Sequence, residues 1–507
     1  MSRTKKTAKN TIVGLICTGV NYILSFVLRA EFIKLLGLEY SGVNSLFTDI
    51  LKILNLADLG FNNAILFKLY KTIADNDNDA TEMYLTVYRK ICYAVGTIVG
   101  IAGLLLIPFL DGFIKEAPSF PEPLWSLYIL VLASSVASHF INFRSILLIA
   151  KQDRYVSTII QYICFFLKNA LQIIVLILCR NIYLYLVVGL VSTVIEGILL
   201  GIVTHRKYHL SWNSKRKIPK NEIKDISKDI GALAIFKFCR TLNVTIDTFL
   251  ISKFIAVAQT AIYGSLTIIT SGLSNFIDTL NDGMIASIGD LNASGNRDGV
   301  EHVLDMSIHI MYLLYGTCVA VLAPFVSPFM RWWIGYSLPD ACVYILLFNF
   351  YVGGLNANIS TFRNSMGLYR KGWRRPAATV VVNCVASYAL IRYIDIIGAF
   401  IGTAIANITT VLWYDPLIVY KYGLNRSAKR FFSRYLLYLF FVVLSALGMV
   451  FIDKLIPEPD TFLDICWQGM LFTACSVGLL LCCGNVFPVQ KDVLNKLNEI
   501  ISRKVQG

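Results

Sequence analysis

The sequence predicts an all-α polytopic membrane protein of about fourteen transmembrane helices, built as two pseudo-symmetric six-helix lobes and a C-terminal helix pair. Three observations predict it. Apolar runs of about 20–25 residues recur along the 507-residue chain, each long enough at about 1.5 Å per residue to cross a hydrocarbon core of about 30 Å. The chain is 56% hydrophobic and 15% charged, with a mean hydropathy of +0.63, where soluble domains carry about 25% charged residues. Lys and Arg gather in alternate connections between the runs. The runs are continuous rather than alternating, which excludes a β-barrel.

In order, the spans fall at about 11–36, 41–66, 88–114, 124–150, 155–179, 182–204, 231–256, 261–288, 304–331, 340–367, 376–394, 397–420, 433–455 and 462–485. The first follows a basic N-terminus and superficially resembles a signal peptide. Its apolar run continues with no small-residue cleavage site, so it reads as an uncleaved span. The N-terminal lobe takes residues 1–204 and a basic cytoplasmic linker 205–230. The C-terminal lobe takes 231–421, and 422–507 hold the extra helix pair and a cytoplasmic tail.

Orientation follows from the basic residues. Of 46 Lys and Arg, 32 lie in the connections assigned to the cytoplasm and 7 in the opposite set. Both termini are therefore expected in the cytoplasm. The formal net charge of +14 reflects this topology, and no nucleic-acid partner is needed to explain it. The twelve cysteines are scattered through apolar segments without C-x-x-C or metal spacing, and they read as small buried hydrophobes. His205 and His209 lie i, i+4 in a basic stretch with no acidic partner nearby, so a zinc site is not expected.

The chain also echoes itself. Asn21-Tyr22-Ile23-Leu24-Ser25 returns as Asn243-Val244-Thr245-Ile246-Asp247, and Leu56-Ala57-Asp58-Leu59-Gly60 as Thr279-Leu280-Asn281-Asp282-Gly283. Phe143-Arg144 with Lys151 returns as Phe362-Arg363 with Arg370. The offset of about 220 residues contains an even number of spans. The lobes should thus share one membrane orientation, related about the membrane normal, with a substrate cavity between them.

Seven bases remain inside spans: Arg29, Lys52, Arg144, Lys168, Lys237, Arg240 and Arg363. At the centre of a spanning helix such a charge costs roughly 2.5–3.5 kcal/mol on insertion scales, so it faces a wet cavity or a partner. Polar residues stack on helical faces: Asn21, Ser25 and Arg29; Gln161, Lys168 and Gln172; Lys237, Arg240 and Asp247; Ser271, Asn275, Asp278 and Asp282. The cations Arg240, Lys168, Arg29, Lys237, Arg144 and Arg363 are candidates for holding an anionic substrate. Asp247, Asp278 and Asp282 are candidate counter-ions to those bases, or proton or sodium sites. Plainer roles exist beside these. Arg29 and Lys237 can snorkel to an interface, Arg144 and Arg363 can anchor at headgroups, and Asp49 and Lys52 can pair at i, i+3.

Leu36-Gly37-Leu38-Glu39-Tyr40-Ser41-Gly42 running into Leu56-Ala57-Asp58-Leu59-Gly60-Phe61-Asn62-Asn63 resembles the first two spans of bacterial polysaccharide transporters, the Wzx-type O-antigen flippases of the MOP exporter superfamily. Pro328-Phe329-Met330-Arg331-Trp332-Trp333-Ile334-Gly335 and Phe362-Arg363-Asn364-Ser365-Met366-Gly367 are similar too. The resemblance implies a flippase for undecaprenyl-pyrophosphate-linked oligosaccharide in the bacterial inner membrane, working by alternating access for O-antigen or capsule assembly. It also implies a polysaccharide polymerase as partner. With no G-x-x-x-x-G-K-[ST] and no cofactor motif, the expected driver is a proton or sodium gradient. Many relatives have twelve spans, and the extra pair here has no assigned role.

Three other readings compete. A lipid II flippase shares the architecture. A multidrug/toxin cation antiporter shares the fold but calls for acidic rather than basic cavity residues. A membrane glycosyltransferase or polymerase calls for a large outer loop, which the sequence lacks.

Overall fold

The computed structural model describes residues 3–55, 61–214, 216, 238–282, 296–368, 371–372, 374–457 and 461–495. Among the described residues the regular structure is all helical, in two compact units, residues 1–264 and 265–507.

The first unit begins with α1 (Arg3–Leu36) and α2 (Leu38–Leu54), antiparallel about Gly37. Gly37 has φ +100, a backbone state that only glycine adopts without strain, so the hairpin turn needs it. Next come α3 (Phe61–Ala74) and α4 (Asn78–Leu106), the latter opened by Asp77, whose carboxylate accepts from Ala80 N at 2.9 Å. A 3₁₀ segment, Ile107–Phe113, leads to α5 (Leu124–Ile141), a 3₁₀ turn Asn142–Arg144 and α6 (Ser145–Ala150). The unit continues with α7 (Arg154–Cys179), α8 (Ile182–Tyr208), α9 (238–254) and the first turns of α10 (Val257–Asp282). Its core is built on Phe32, Leu46, Phe47, Leu85, Tyr128 and Leu147.

The second unit holds the rest of α10, then α11 (Arg297–Ile334), α12 (Asp340–Ser365), α13 (Arg374–Ala406), α14 (Leu412–Ile418), α15 (Lys429–Asp453) and α16 (Phe462–Gly484). Pro324 and Pro328 lie inside α11. Segment Arg374–Leu424 is helical for 51 residues, about 76 Å at 1.5 Å per residue, and so long enough for two crossings. It breaks at Ile394 and Asp395, where φ is −131 and 54. The expected spans 376–394 and 397–420 meet at this break. Two π-helical turns, Asn407–Val411 and Val419–Leu424, flank α14.

Nine of the described helical segments are long and apolar enough to cross a membrane. Their surfaces identify the solvent. Phe166, Leu167, Leu171 and Leu178 on α7, and Val191, Ile195 and Ile198 on α8, all lie exposed. An apolar face of this extent is stable against lipid tails and not against water.

The C-terminal pair α15 and α16 packs on α11. Tyr312 stacks on Tyr438 at 4.5 Å, and its hydroxyl donates to Leu480 O at 3.2 Å. Buried His309 meets the Tyr438 hydroxyl through Nδ1 at 3.1 Å. Gly316 lets the helices close up, since a Cβ there would sit 2.8 Å from Val442 and 3.3 Å from Leu480.

Candidate functional site in the membrane helices

Four polar constellations stand out. The first lies where α1, α2, α9 and the start of α10 converge. The Arg29 guanidinium on α1 donates to Ser45 Oγ on α2 at 3.3 Å, and its Nη2 donates to Ala261 O on α10 at 2.7 Å. Helices α2 and α10 touch through backbone, because a Cβ on Gly42 would sit 1.9 Å from Val257 O. The Thr260 hydroxyl donates to Gly42 O at 3.2 Å and to Val257 O at 2.6 Å. Beside this contact Lys115 N donates to Ser252 O at 3.1 Å, and Phe113 meets Phe249 at 5.6 Å. The corner 252–264 is thus docked onto α1, α2 and the 3₁₀ segment by main-chain as well as side-chain contacts.

Two carboxylates act on Tyr263 in the same group. Buried Asp247 on α9 accepts from the Tyr263 hydroxyl at 3.3 Å, and Asp49 on α2 acts on the same ring electrostatically. Asp49 also pairs with Lys52 at 2.7 Å, the i, i+3 pairing that the sequence offered for this couple. Arg240, on the same helix as Asp247, is exposed. Lys237 and the side chain of Asp282 lie outside the described residues.

The second constellation joins α7 to α8. Lys168 is half-buried, lies over the Phe165 ring at 5.0 Å, and faces the carboxylate of Glu196. Glu196 in turn accepts a hydrogen bond from Gln161, which shares the Lys168 face. Gln172, one turn further on, donates to Tyr185 O at 3.0 Å. The stripe Gln161, Lys168, Gln172 was readable at helical spacing. Glu196 was missed, although a lone acid in the apolar run of α8 was the signal that could have found it.

Arg363, with Arg375, forms the third. Arg363 is fully buried and its Nη1 pairs with Asp415 Oδ1 at 2.6 Å. Arg375 Nη1 pairs with the other oxygen at 2.9 Å, and the Ser360 hydroxyl donates to it at 2.7 Å. Gly372 covers the group so closely that a Cβ would lie 2.2 Å from Arg363 Nη1. Arg144, the counterpart of Arg363 at the repeat offset, is only half-buried. It lies over the Phe143 ring at 5.2 Å and against Gly201 of α8. The equivalent sequence positions therefore hold unlike surroundings.

The fourth is Asp278 on α10. It acts electrostatically on Tyr315 of α11, whose hydroxyl bonds to Ser274. Among the described residues no cluster of three or more His, Cys, Asp or Glu is placed to hold a metal.

Lipid-facing helices with charges paired in their interior make this a polytopic helical membrane fold, one that membrane transporters share. Solved structures bear this out. The lipid II flippase MurJ in an inward closed conformation is 12% identical, covers 95% of this chain and 100% of its own, and has a TM-score of 0.68. A MATE-family multidrug resistance transporter of the MOP superfamily, inward-facing, is 15% identical over 80% of this chain and 98% of its own, with a TM-score of 0.62. An outward-facing MATE-family structure gives 16%, 81%, 94% and 0.57 in the same order. No curated protein matches the sequence. The family model described as "Polysaccharide biosynthesis protein" matches residues 7–282, more than half of the chain, and the chain belongs to that family.

Proposed function

We infer that this protein is a flippase, turning an undecaprenyl-pyrophosphate-linked oligosaccharide from the cytoplasmic to the outer leaflet of the bacterial inner membrane, for O-antigen, capsule or exopolysaccharide assembly. It carries out no covalent chemistry, and both termini lie in the cytoplasm. The observation that carries this reading is the set of cations inside the spans, Arg29 and Lys168 above all, in a chain of a polysaccharide-biosynthesis family. A pyrophosphate needs fixed positive groups to leave water, and arginine meets phosphate through a planar fork of donors.

The mechanism is alternating access. With the corner 252–264 docked, Arg29 is held by Ser45 and Ala261 O. When the corner lifts, Arg29 exchanges that carbonyl for a phosphate oxygen. Lys168, balanced by Glu196, and exposed Arg240 complete the cationic path. Asp247, held by Tyr263, takes the proton or sodium ion that resets the cycle, with Asp278 beside Tyr315 as a second such position. A polysaccharide polymerase receives the product.

The test is movement of a lipid-linked oligosaccharide in proteoliposomes, with and without an imposed pH or sodium gradient. Translocation should follow the gradient and fall at least about ten-fold in the Arg29→Gln and Lys168→Gln proteins, the loss of about 1.4 kcal/mol of binding. Full transport by the doubly neutralised protein would remove the cationic path.

One observation favours a lipid II substrate instead. The likeness to the lipid II flippase leaves out only about 25 residues of this chain (5% of 507), too few to omit the C-terminal pair 429–484. Movement of lipid II, and of no oligosaccharide lipid, in the same vesicles would select that reading.

A further inference from the structure

We propose that the second unit carries a binding pocket for the headgroup of a resident anionic phospholipid, separate from the constellations above. A cavity of about 260 Å³ opens between the start of α11, the turn after α12 and the π-helical turn Val419–Leu424. Pockets for drug-sized molecules run to about 300–1,000 Å³, so this one suits a phosphoglycerol headgroup and not a whole glycan.

Its chemistry is polar and cationic, with an apolar stripe beside it on the membrane side. The accessible lining is mainly polar, with the side chains of Met366 and Leu368 set into it and Val300 and Leu424 buried behind, and Arg297 supplies a cation on the wall. At the mouth Tyr422 is half exposed, with Lys371 Nζ lying 3.3 Å from its ring centroid. The acids at the same end of α11, Asp298 and Glu301, are both occupied by Arg426. They leave Arg297 and Lys371 to face an incoming anion. A polar lining takes a glycerol headgroup and a phosphate meets Arg297 and Lys371, while the exposed apolar residues Ile405, Ile408, Trp413 and Leu417 take acyl chains, which a free phosphate leaves unused.

The membrane side of the pocket fits the rest of such a lipid. Trp413 and Leu417, one helical turn apart, are exposed below Tyr422, and Ile405 and Ile408 continue the exposed run. Acyl chains following that stripe bring a headgroup to the level of Tyr422. All three connections forming the pocket belong to the basic set that the charge distribution places in the cytoplasm, where anionic lipids act on Lys and Arg near the surface.

The experiment uses the full-length protein in nanodiscs of phosphatidylcholine alone, or with one fifth phosphatidylglycerol, cardiolipin or phosphatidylethanolamine. Thermal unfolding and retention of lipid in native mass spectrometry are read together. The anionic lipids should raise Tm and remain bound, and phosphatidylethanolamine should do neither. The combined Arg297→Ala, Lys371→Ala protein should lose at least half of both effects, and Arg331→Ala, on an exposed arginine in the opposite set, should keep them. If the double variant unfolds early even in phosphatidylcholine, Leu368→Glu supplies the same test by placing an acid in the lining. An undiminished anionic-lipid effect in both variants, or equal protection by phosphatidylethanolamine, overturns the proposal. Equal protection by inorganic phosphate in phosphatidylcholine overturns the lipid and leaves a free-anion site.

Discussion

At the scale of single residues, the charges inside the spans divide by what answers them. Asp415 meets two guanidinium groups and a hydroxyl, and both it and Arg363 are shut away from solvent. Removing one member of a buried pair costs about 3–5 kcal/mol, because the survivor stays buried and uncompensated. The Asp415→Asn protein should therefore lose about that much stability, seen as a large fall in Tm in detergent. Arg331→Gln, an exposed change, should stay within about 0.5 kcal/mol. An Asp415→Asn protein as stable as the parent would deny the pair its structural role. The bases were legible in the sequence because each interrupts an apolar run. Apart from Asp49 for Lys52, their partners were not, because pairing across helices depends on which faces meet. Asp415 sits 52 residues from Arg363 and Glu196 sits 28 from Lys168, and neither separation carries a periodic signal.

At the scale of elements, the close approach of α2 and α10 depends on one missing methyl group. Any side chain at Gly42 drives into Val257 O, and the clash is with backbone, so no rotamer relieves it. Overpacking of this kind typically costs about 1–3 kcal/mol. Between a docked and a lifted corner, that is roughly a 5- to 150-fold change in population. In a protein whose native cysteines are replaced, Gly42→Val should raise the rate at which Ser45→Cys reacts with a bulky maleimide, by at least about five-fold. An unchanged rate would mean that the corner does not move as a unit. The helices themselves were readable from apolar length, including the break between the eleventh and twelfth spans. The span expected at 41–66 instead ends its first helix at Leu54, where Asn55 accepts from Ser135 at 3.1 Å and meets His139 Nε2 at 3.0 Å. Those partners lie 80 and 84 residues away, beyond the reach of a sliding window. The π-helical turns around α14 left no mark in composition either.

At the scale of the whole molecule, the lipid bilayer sorts the charges. The 32-to-7 division of Lys and Arg predicts the direction of the chain, and the direction decides what the docked corner 252–264 means. Lys34 and Lys253 belong to the sparse set, and the corner with its Arg29 bond to Ala261 O lies at that end of α1 and α2. If the sparse set faces outward, this contact closes the first unit on the outer side, and a substrate loaded in the cytoplasm arrives behind it. If the set faced inward, the same contact would bar the cytoplasmic entrance, and the proposed direction of transport would fail with it. Intact cells decide the matter. A membrane-impermeant maleimide should label Lys253→Cys and Lys454→Cys from outside, on a background without native cysteines. It should reach Lys371→Cys and Lys421→Cys only after the membrane is permeabilised. The reverse pattern would invert the chain, and with it the side from which Arg29 meets its anion.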